Sequence, residues 1–272
     1  MKKLLALLLC LLFISFPVLA EEEEDNSGTV HVLTDNEETE FAEEGECEAY
    51  IPPERYSRAI FGADDRVTVD KTDVFPFSAI AYMKVHATCG CNWECSGFMV
   101  RRKCLMTAAH CMVCADHGAW ADRIDFMFGY KNGYCAYKYC KHWEAWAGDL
   151  FRNGYDNAND YAVVHFDEAV GDKVGWFGIC YGYSDSYIAD QYLTVAGYRD
   201  GKLKYDRGYA QAIDSNLIGY TIDMLSGNSG CPVFDEDYYV VAINVSHNEY
   251  TNHGHRITDQ VYRTMTDNNY LD

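Results

Sequence analysis

The chain has 272 residues and a formal net charge of −20, from 42 acidic and 22 basic side chains. So acidic a surface repels nucleic acid and anionic lipid, so neither is an expected partner. The length allows one large domain or two small barrels sharing an interface.

Lys2 and Lys3 open the chain, and an apolar run follows from Leu4 to about Leu19. Val18-Leu19-Ala20 puts small residues where a signal peptidase cuts, so residues 1–20 read as a signal peptide and the protein as secreted. The run is short for a membrane anchor, and no later segment is long and apolar enough to cross a bilayer. Residues 21–58 hold 14 acidic and 2 basic side chains and the pair Pro52-Pro53. They cannot bury enough apolar surface to fold alone and read as an acidic pro-segment. Setting aside the leader lysines, −10 remains on residues 59–272.

From Ala59 the texture is that of an all-β protein. Short β-branched or aromatic runs recur at Phe75 to Val85, Gly97 to Val100, Ile124 to Phe128, Tyr161 to Phe166, Tyr192 to Tyr198, Leu217 to Ile222 and Tyr238 to Val245. Gly, Asp and Asn punctuate them, as in an antiparallel sandwich or barrel. Only the last segment, about 258–268, reads as a helix. Thr258 is its N-cap, and Val261, Tyr262 and Met265 form its apolar face.

Twelve cysteines are present. Cys10 lies in the leader and Cys47 in the acidic segment. The ten that remain are an even number in an exported chain, which favours disulfides. Cys111-Met-Val-Cys114, with Cys89, Cys91 and Cys95 upstream, is an alternative zinc pattern. It lacks the usual finger spacing, so no metal is assigned. Calcium has no loop motif here, and no cofactor is expected.

Three local patterns carry chemistry. In Gly227-Asn228-Ser229-Gly230-Cys231-Pro232-Val233, glycines flank a serine, and the amides of Gly227 and Ser229 are the candidate oxyanion donors. In Leu105-Met106-Thr107-Ala108-Ala109-His110-Cys111, a strand ending in small residues delivers a histidine. Cys95 lies 15 residues before His110, and a Cys95–Cys111 bridge would brace the histidine loop. In Asn159-Asp160-Tyr161-Ala162-Val163-Val164, an acid opens an apolar strand, where it can accept the Nδ1–H of a histidine and fix its tautomer.

His110, Asp160 and Ser229 stand in the chain order of the chymotrypsin-type triad. Residues 57–268 resemble the secreted bacterial glutamyl endopeptidase branch of the chymotrypsin-like (trypsin-like) serine proteases. Ser57-Arg58-Ala59-Ile60-Phe61-Gly62-Ala63-Asp64-Asp65-Arg66-Val67 is similar to the processed N-terminus of that branch. Val174-Gly175-Trp176-Phe177-Gly178 and Val195-Ala196-Gly197-Tyr198 resemble second-barrel strands. Asn252-His253-Gly254-His255-Arg256-Ile257-Thr258 resembles the approach to its final helix. The resemblance implies two six-stranded β-barrels, at about 59–168 and 172–257, with the triad between them. It also implies a serine endopeptidase that cuts internal bonds of protein or peptide substrates. A monomer and a zymogen cut between Arg58 and Ala59 are the matching expectations.

The resemblance leaves the residue before the scissile bond (P1) open. Asn228 stands where digestive-type members carry an aspartate for the new N-terminus. By spacing from Ser229, the branch's acid-reading histidine falls on Asn244 and its hydroxyl residue on Met224. Asp223, six residues before Ser229, instead matches the position that binds Arg or Lys at P1. His247, His253 and His255 are further groups for an acidic P1, expected in exposed loops. Asn244-Val245-Ser246 is the expected substrate-pairing strand. The rival readings are a catalytically inactive protease-fold binding protein and a zinc-stapled secreted protein.

Overall fold

The structure, a computed structural model, describes residues 28–33, 60–149, 159–179 and 181–270. Two curled, almost wholly antiparallel sheets face each other. The first holds β1 (Gly28–Leu33), β3 (Ile80–Ala87), β4 (Asn92–Met99), β5 (Cys104–Thr107), β6 (Ala121–Phe128), β7 (Tyr137–Tyr139), β8 (Trp143–Gly148) and β9 (Ala162–Phe166). Its order is β1-β8-β9-β5-β4-β3-β6-β7. The second holds β2 (Val67–Thr68), β10 (Gly178–Ile179), β11 (Leu193–Arg199), β12 (Lys202–Gly208), β13 (Ala210–Ile213), β14 (Leu217–Tyr220), β15 (Pro232–Phe234), β16 (Tyr239–His247) and β17 (Asn252–Arg256). Its order is β13-β14-β17-β16-β15-β11-β12-β2, with β10 parallel to β16 off that path. This is the expected chymotrypsin-like two-barrel fold, with extra short strands at the sheet margins.

Each barrel is filled from inside. In the first, Phe166 meets Phe126 and Tyr139 at ring separations of 4.9 and 4.5 Å. In the second, Leu193, Val195, Ile218, Tyr220, Val233 and Val241 form the core. Full burial of one such side chain contributes about 1.5–3 kcal/mol, so both barrels have the apolar volume to stand. Aromatic rings join the halves: Tyr82 of β3 stacks on Tyr198 of β11 at 5.3 Å, and Phe177 packs between Phe98 and Phe234.

The seven apolar runs all overlap strands, although the first opens as a single 3-10 turn at Phe77–Ala79. The final helix, α3 (Asp259–Asp267), is capped as expected by Thr258, whose side chain accepts the Val261 N–H at 3.3 Å. Its buried face is Val261, Thr264 and Met265. Tyr262 is only half-buried and packs on Tyr181.

Four expectations are corrected. The sequence reading gave one helix, yet two short ones precede it, α1 (Gly171–Val174) and α2 (Asp185–Asp190). Each is too short to show a helical apolar period. Second, Val174 to Gly178 is mostly not strand. Val174 ends α1, Gly175 turns with φ +82°, and pairing begins only at Gly178. Third, within the acidic segment Gly28–Leu33 pairs antiparallel with Trp143–Gly148 as β1. The segment could not fold alone, but a neighbouring barrel supplies the hydrogen-bond partners it lacks. Fourth, the three C-terminal histidines are not loop residues. His247 ends β16, while His253 and His255 lie on β17, with His255 buried. The signal peptide, the Arg58–Ala59 bond and Cys47 lie outside the described residues.

Candidate active site

Strand β5 ends at Thr107, and the small, fully buried Ala108 and Ala109 let the chain turn at once into a single 3-10 turn, Ala109–Cys111. That turn presents His110. Asp160, wholly buried just before β9, meets it with both oxygens. Oδ2 lies 2.7 Å from His110 Nδ1, and Oδ1 accepts the His110 backbone N–H at 3.0 Å. One carboxylate thus fixes both the ring and the backbone that carries it, and leaves Nε2 as the atom for proton exchange. Burial pushes the histidine pKa down. The Asp160 carboxylate and Cys111 beside it push it up, and the net direction is well above the ordinary value.

The Ser229 turn is built mostly by backbone groups. Asn228 N–H donates to Leu225 O at 3.0 Å, Cys231 N–H to Asn228 O at 3.1 Å, and Gly230 N–H to Asn244 O at 2.8 Å. Gly227 and Gly230 adopt φ of +93° and +77°, which suits residues without a side chain. At Gly230 a Cβ would lie 2.1 Å from Thr107 Oγ1 and 2.3 Å from Ser96 O. This close approach sets the half-exposed Ser229 turn directly against the end of β5, three residues before His110.

Ser96 of β4 joins the two barrels at this point. Its N–H donates to Ser229 O (2.8 Å), its hydroxyl donates to Gly227 O (3.2 Å), and its Oγ accepts the Tyr198 N–H (2.8 Å). Sequence reasoning missed Ser96, since nothing near it marks a serine inside an apolar strand as a brace. Arg66 was also missed as a site residue. Its guanidinium pairs with Asp64 at 2.8 Å and reaches Asn228 Oδ1 at 3.5 Å.

The candidate specificity residues are placed less simply. Asp223 is buried, and its carboxylate accepts the N–H groups of Phe61 (2.8 Å) and Asp65 (3.2 Å). It anchors the segment after the expected cleavage site. Met224 is buried in the second-barrel core. Asn244 is buried too: its Oδ1 accepts the Tyr220 hydroxyl at 2.6 Å, and its Nδ2 donates to Asn228 O at 3.3 Å. It therefore braces the Ser229 turn from behind. A bulge between Asn244 and Ser246 leaves Val245 out of register with β17. Ser246 Oγ lies 3.4 Å from His253 Nδ1, and Thr251 Oγ1 lies 2.9 Å from its Nε2. Burial lowers the pKa of His253 and of His247. Cys95 and Cys111 are both buried, and no S–S bond is formed among the described cysteines.

Residues 95–243, which span Ser96, His110, Asp160 and Ser229, match the family model described as the trypsin-like peptidase domain. The chain belongs to this family. It is a trypsin-like serine endopeptidase. A glutamyl endopeptidase of Bacillus licheniformis is 27% identical over 224 residues, covering 77% of this chain and 68% of that protein. A Bacillus subtilis protein named extracellular metalloprotease is 26% identical over 222 residues, with shares of 76% and 68%. A solved Glu endopeptidase in complex with MPD superposes with a TM-score of 0.67 at 20% identity, covering 78% of this chain and all of that one. As in other trypsin-like endopeptidases, the substrates are proteins or peptides. No helix among the described residues is long and apolar enough to cross a membrane.

Proposed function

We propose that Ser229, His110 and Asp160 are the catalytic triad and that the enzyme is secreted. Ser229 attacks the scissile carbonyl. His110 takes the serine proton through Nε2 and returns it to the leaving amine, and Asp160 holds the ring and stabilises its charged form. The amides of Gly227 and Ser229 stabilise the oxyanion, and Asn244-Val245-Ser246 offers its edge to substrate backbone. The observation that carries this reading is the buried 2.7 Å contact between His110 and Asp160, set against the Ser229 turn. Casein digestion by wild type beside Ser229→Ala tests it. The variant should fold normally and lose about 10⁶ in kcat, by analogy with a serine protease of different fold. Retained activity in a clean preparation would overturn it.

For P1 we infer a preference for an acidic side chain. Both Asp223 oxygens already accept backbone N–H groups, which argues against its acting as a receptor for Arg or Lys. His253, held against Ser246 beside the substrate-pairing strand, is the partner for that acidic side chain; because burial lowers its pKa, it becomes cationic only with the P1 carboxylate bound beside it. The relative named glutamyl endopeptidase points the same way. Matched peptides differing only in Glu, Arg or Phe at P1 decide it: Glu should give the highest kcat/KM, and faster cleavage after Arg would restore Asp223 as the pocket floor.

Residues 1–20 are proposed as the signal peptide, 21–58 as the pro-segment and 59–272 as the protease domain, matured by cleavage after Arg58. The anchoring of Phe61 by Asp223 favours a chain start just upstream, and N-terminal sequencing of active enzyme is the check. A Cys95–Cys111 disulfide is proposed from the spacing of the two cysteines about His110 and the burial of both.

A further inference from the structure

Two turns meet at one end of the first barrel, beyond the histidine loop. The β3–β4 hairpin carries Cys89 and Cys91 on either side of Gly90, which adopts φ +86°. Gly90 N–H donates to Ala87 O (2.8 Å) and Ala87 N–H to Cys91 O (3.0 Å), closing a tight knuckle. The second turn runs from Cys114 to Gly118 and carries His117. It is closed by Cys114 N–H to Ala119 O (2.7 Å) and Gly118 N–H to Cys114 O (2.8 Å). Thr88 N–H donates to Trp120 O (3.1 Å) and ties the two turns together.

The ligand atoms of Cys89, Cys91, Cys114 and His117 all lie within 4.8 Å of one another. His117 Nδ1 is 3.5 Å from Cys91 Sγ and 3.4 Å from Cys114 Sγ. A tetrahedral zinc ion with ordinary bond lengths requires N···S edges of about 3.5 Å and S···S edges of about 3.8 Å. We propose that Cys89, Cys91, Cys114 and His117 form a closed structural site for a zinc-like divalent ion.

The donor set argues for a metal over oxidation. One disulfide among three sulfurs leaves the third thiol and the imidazole at the same point with no role. Three thiolates and one imidazole fill all four positions of a structural zinc site and leave none for substrate. The site is thus a staple, apart from the peptidase chemistry. Binding as thiolates displaces the water ligands of the ion and up to three thiol protons. The set differs from the one that spacing alone suggested. Cys95 and Cys111 are buried away from it, and His117 takes the place a fourth cysteine would have filled. The ion would clamp the hairpin to the loop that starts three residues after Cys111 and hold the far side of the His110 turn.

Elemental analysis of full-length secreted enzyme, purified without chelator, should find about one zinc per chain. His117→Ala and Cys114→Ser should each lose it, while Cys95→Ser/Cys111→Ser keeps it. Wild type reloaded with cobalt should show the intense visible bands of a tetrahedral thiolate site, a readout that needs no variant to fold and no activity. Three results would overturn the proposal: a disulfide linking any two of Cys89, Cys91 and Cys114 in non-reducing peptide maps, a metal-free native enzyme that gives no such cobalt spectrum, or zinc retained by both ligand variants.

Discussion

The two walls of the cleft are held in place by different means. On the first-barrel side a single side chain, Asp160, fixes both the ring and the backbone of His110. On the second-barrel side the Ser229 turn is held mainly by backbone hydrogen bonds, with side-chain braces from Asn228 within the turn and from Ser96 and Asn244 elsewhere in the sequence. Damage to the first wall should therefore strike chemistry directly. Damage to the second should spread into stability and alignment.

Asp160→Asn tests the first wall and should have the largest effect. Loss of about 10⁴ in kcat is expected, the size seen for the equivalent change in a related enzyme. Its pH profile carries a second signature. His110 must be neutral to act as base, and the carboxylate favours its charged form, so the acid limb of kcat/KM should lie above the ordinary histidine value of about 6.5. Without the carboxylate the main upward influence is gone, and the limb should move to lower pH. A limb unmoved by the substitution would show that another group titrates.

Asp223→Ala tests the second wall at its long-range anchor. Loss of the acceptor for two N–H groups should cost roughly 2–3 kcal/mol of stability. Calorimetry would report it as a fall in Tm, and cleavage after Glu and Arg should decline together. A selective loss of Arg cleavage would return Asp223 to the substrate pocket. The smallest effect is expected for Ser96→Ala, roughly 1–2 kcal/mol, or a few degrees in Tm for a domain of this size. It leaves the buried Tyr198 N–H without its hydroxyl acceptor. If the second wall depends on such braces, kcat should fall while the acid limb stays where it was.

The same contrast explains what the sequence made legible. His110, Asp160 and Ser229 each sit in a short motif whose local geometry serves their role: a strand end with small residues, an acid at a strand start, a serine between glycines. Asp223 could be read only by its distance from Ser229. Its actual partners lie more than 150 residues away, a relation that no local pattern encodes. Asn244 was flagged as a missing histidine, while its bond to Tyr220 depends on how β14, β16 and β17 stack. Seven strands announced themselves because barrel interiors demand short recurring runs of β-branched and aromatic side chains. β1 did not, since its six residues are surrounded by glutamates and gain their order from β8.

That short strand also has a kinetic consequence. β1 covers the outer edge of β8, next to β9 and so to the strand that follows Asp160. While the chain is continuous, Gly28–Leu33 meets that edge as a tethered partner, at an effective concentration of the order of millimolar and independent of dilution. Once the Arg58–Ala59 bond is cut, the same pairing becomes bimolecular. Dilution then drives the strand off and bares the row of β8 amides and carbonyls. Full maturation would thus be a two-stage event, a cut followed by a departure, and only the second stage would depend on how much protein is in the tube.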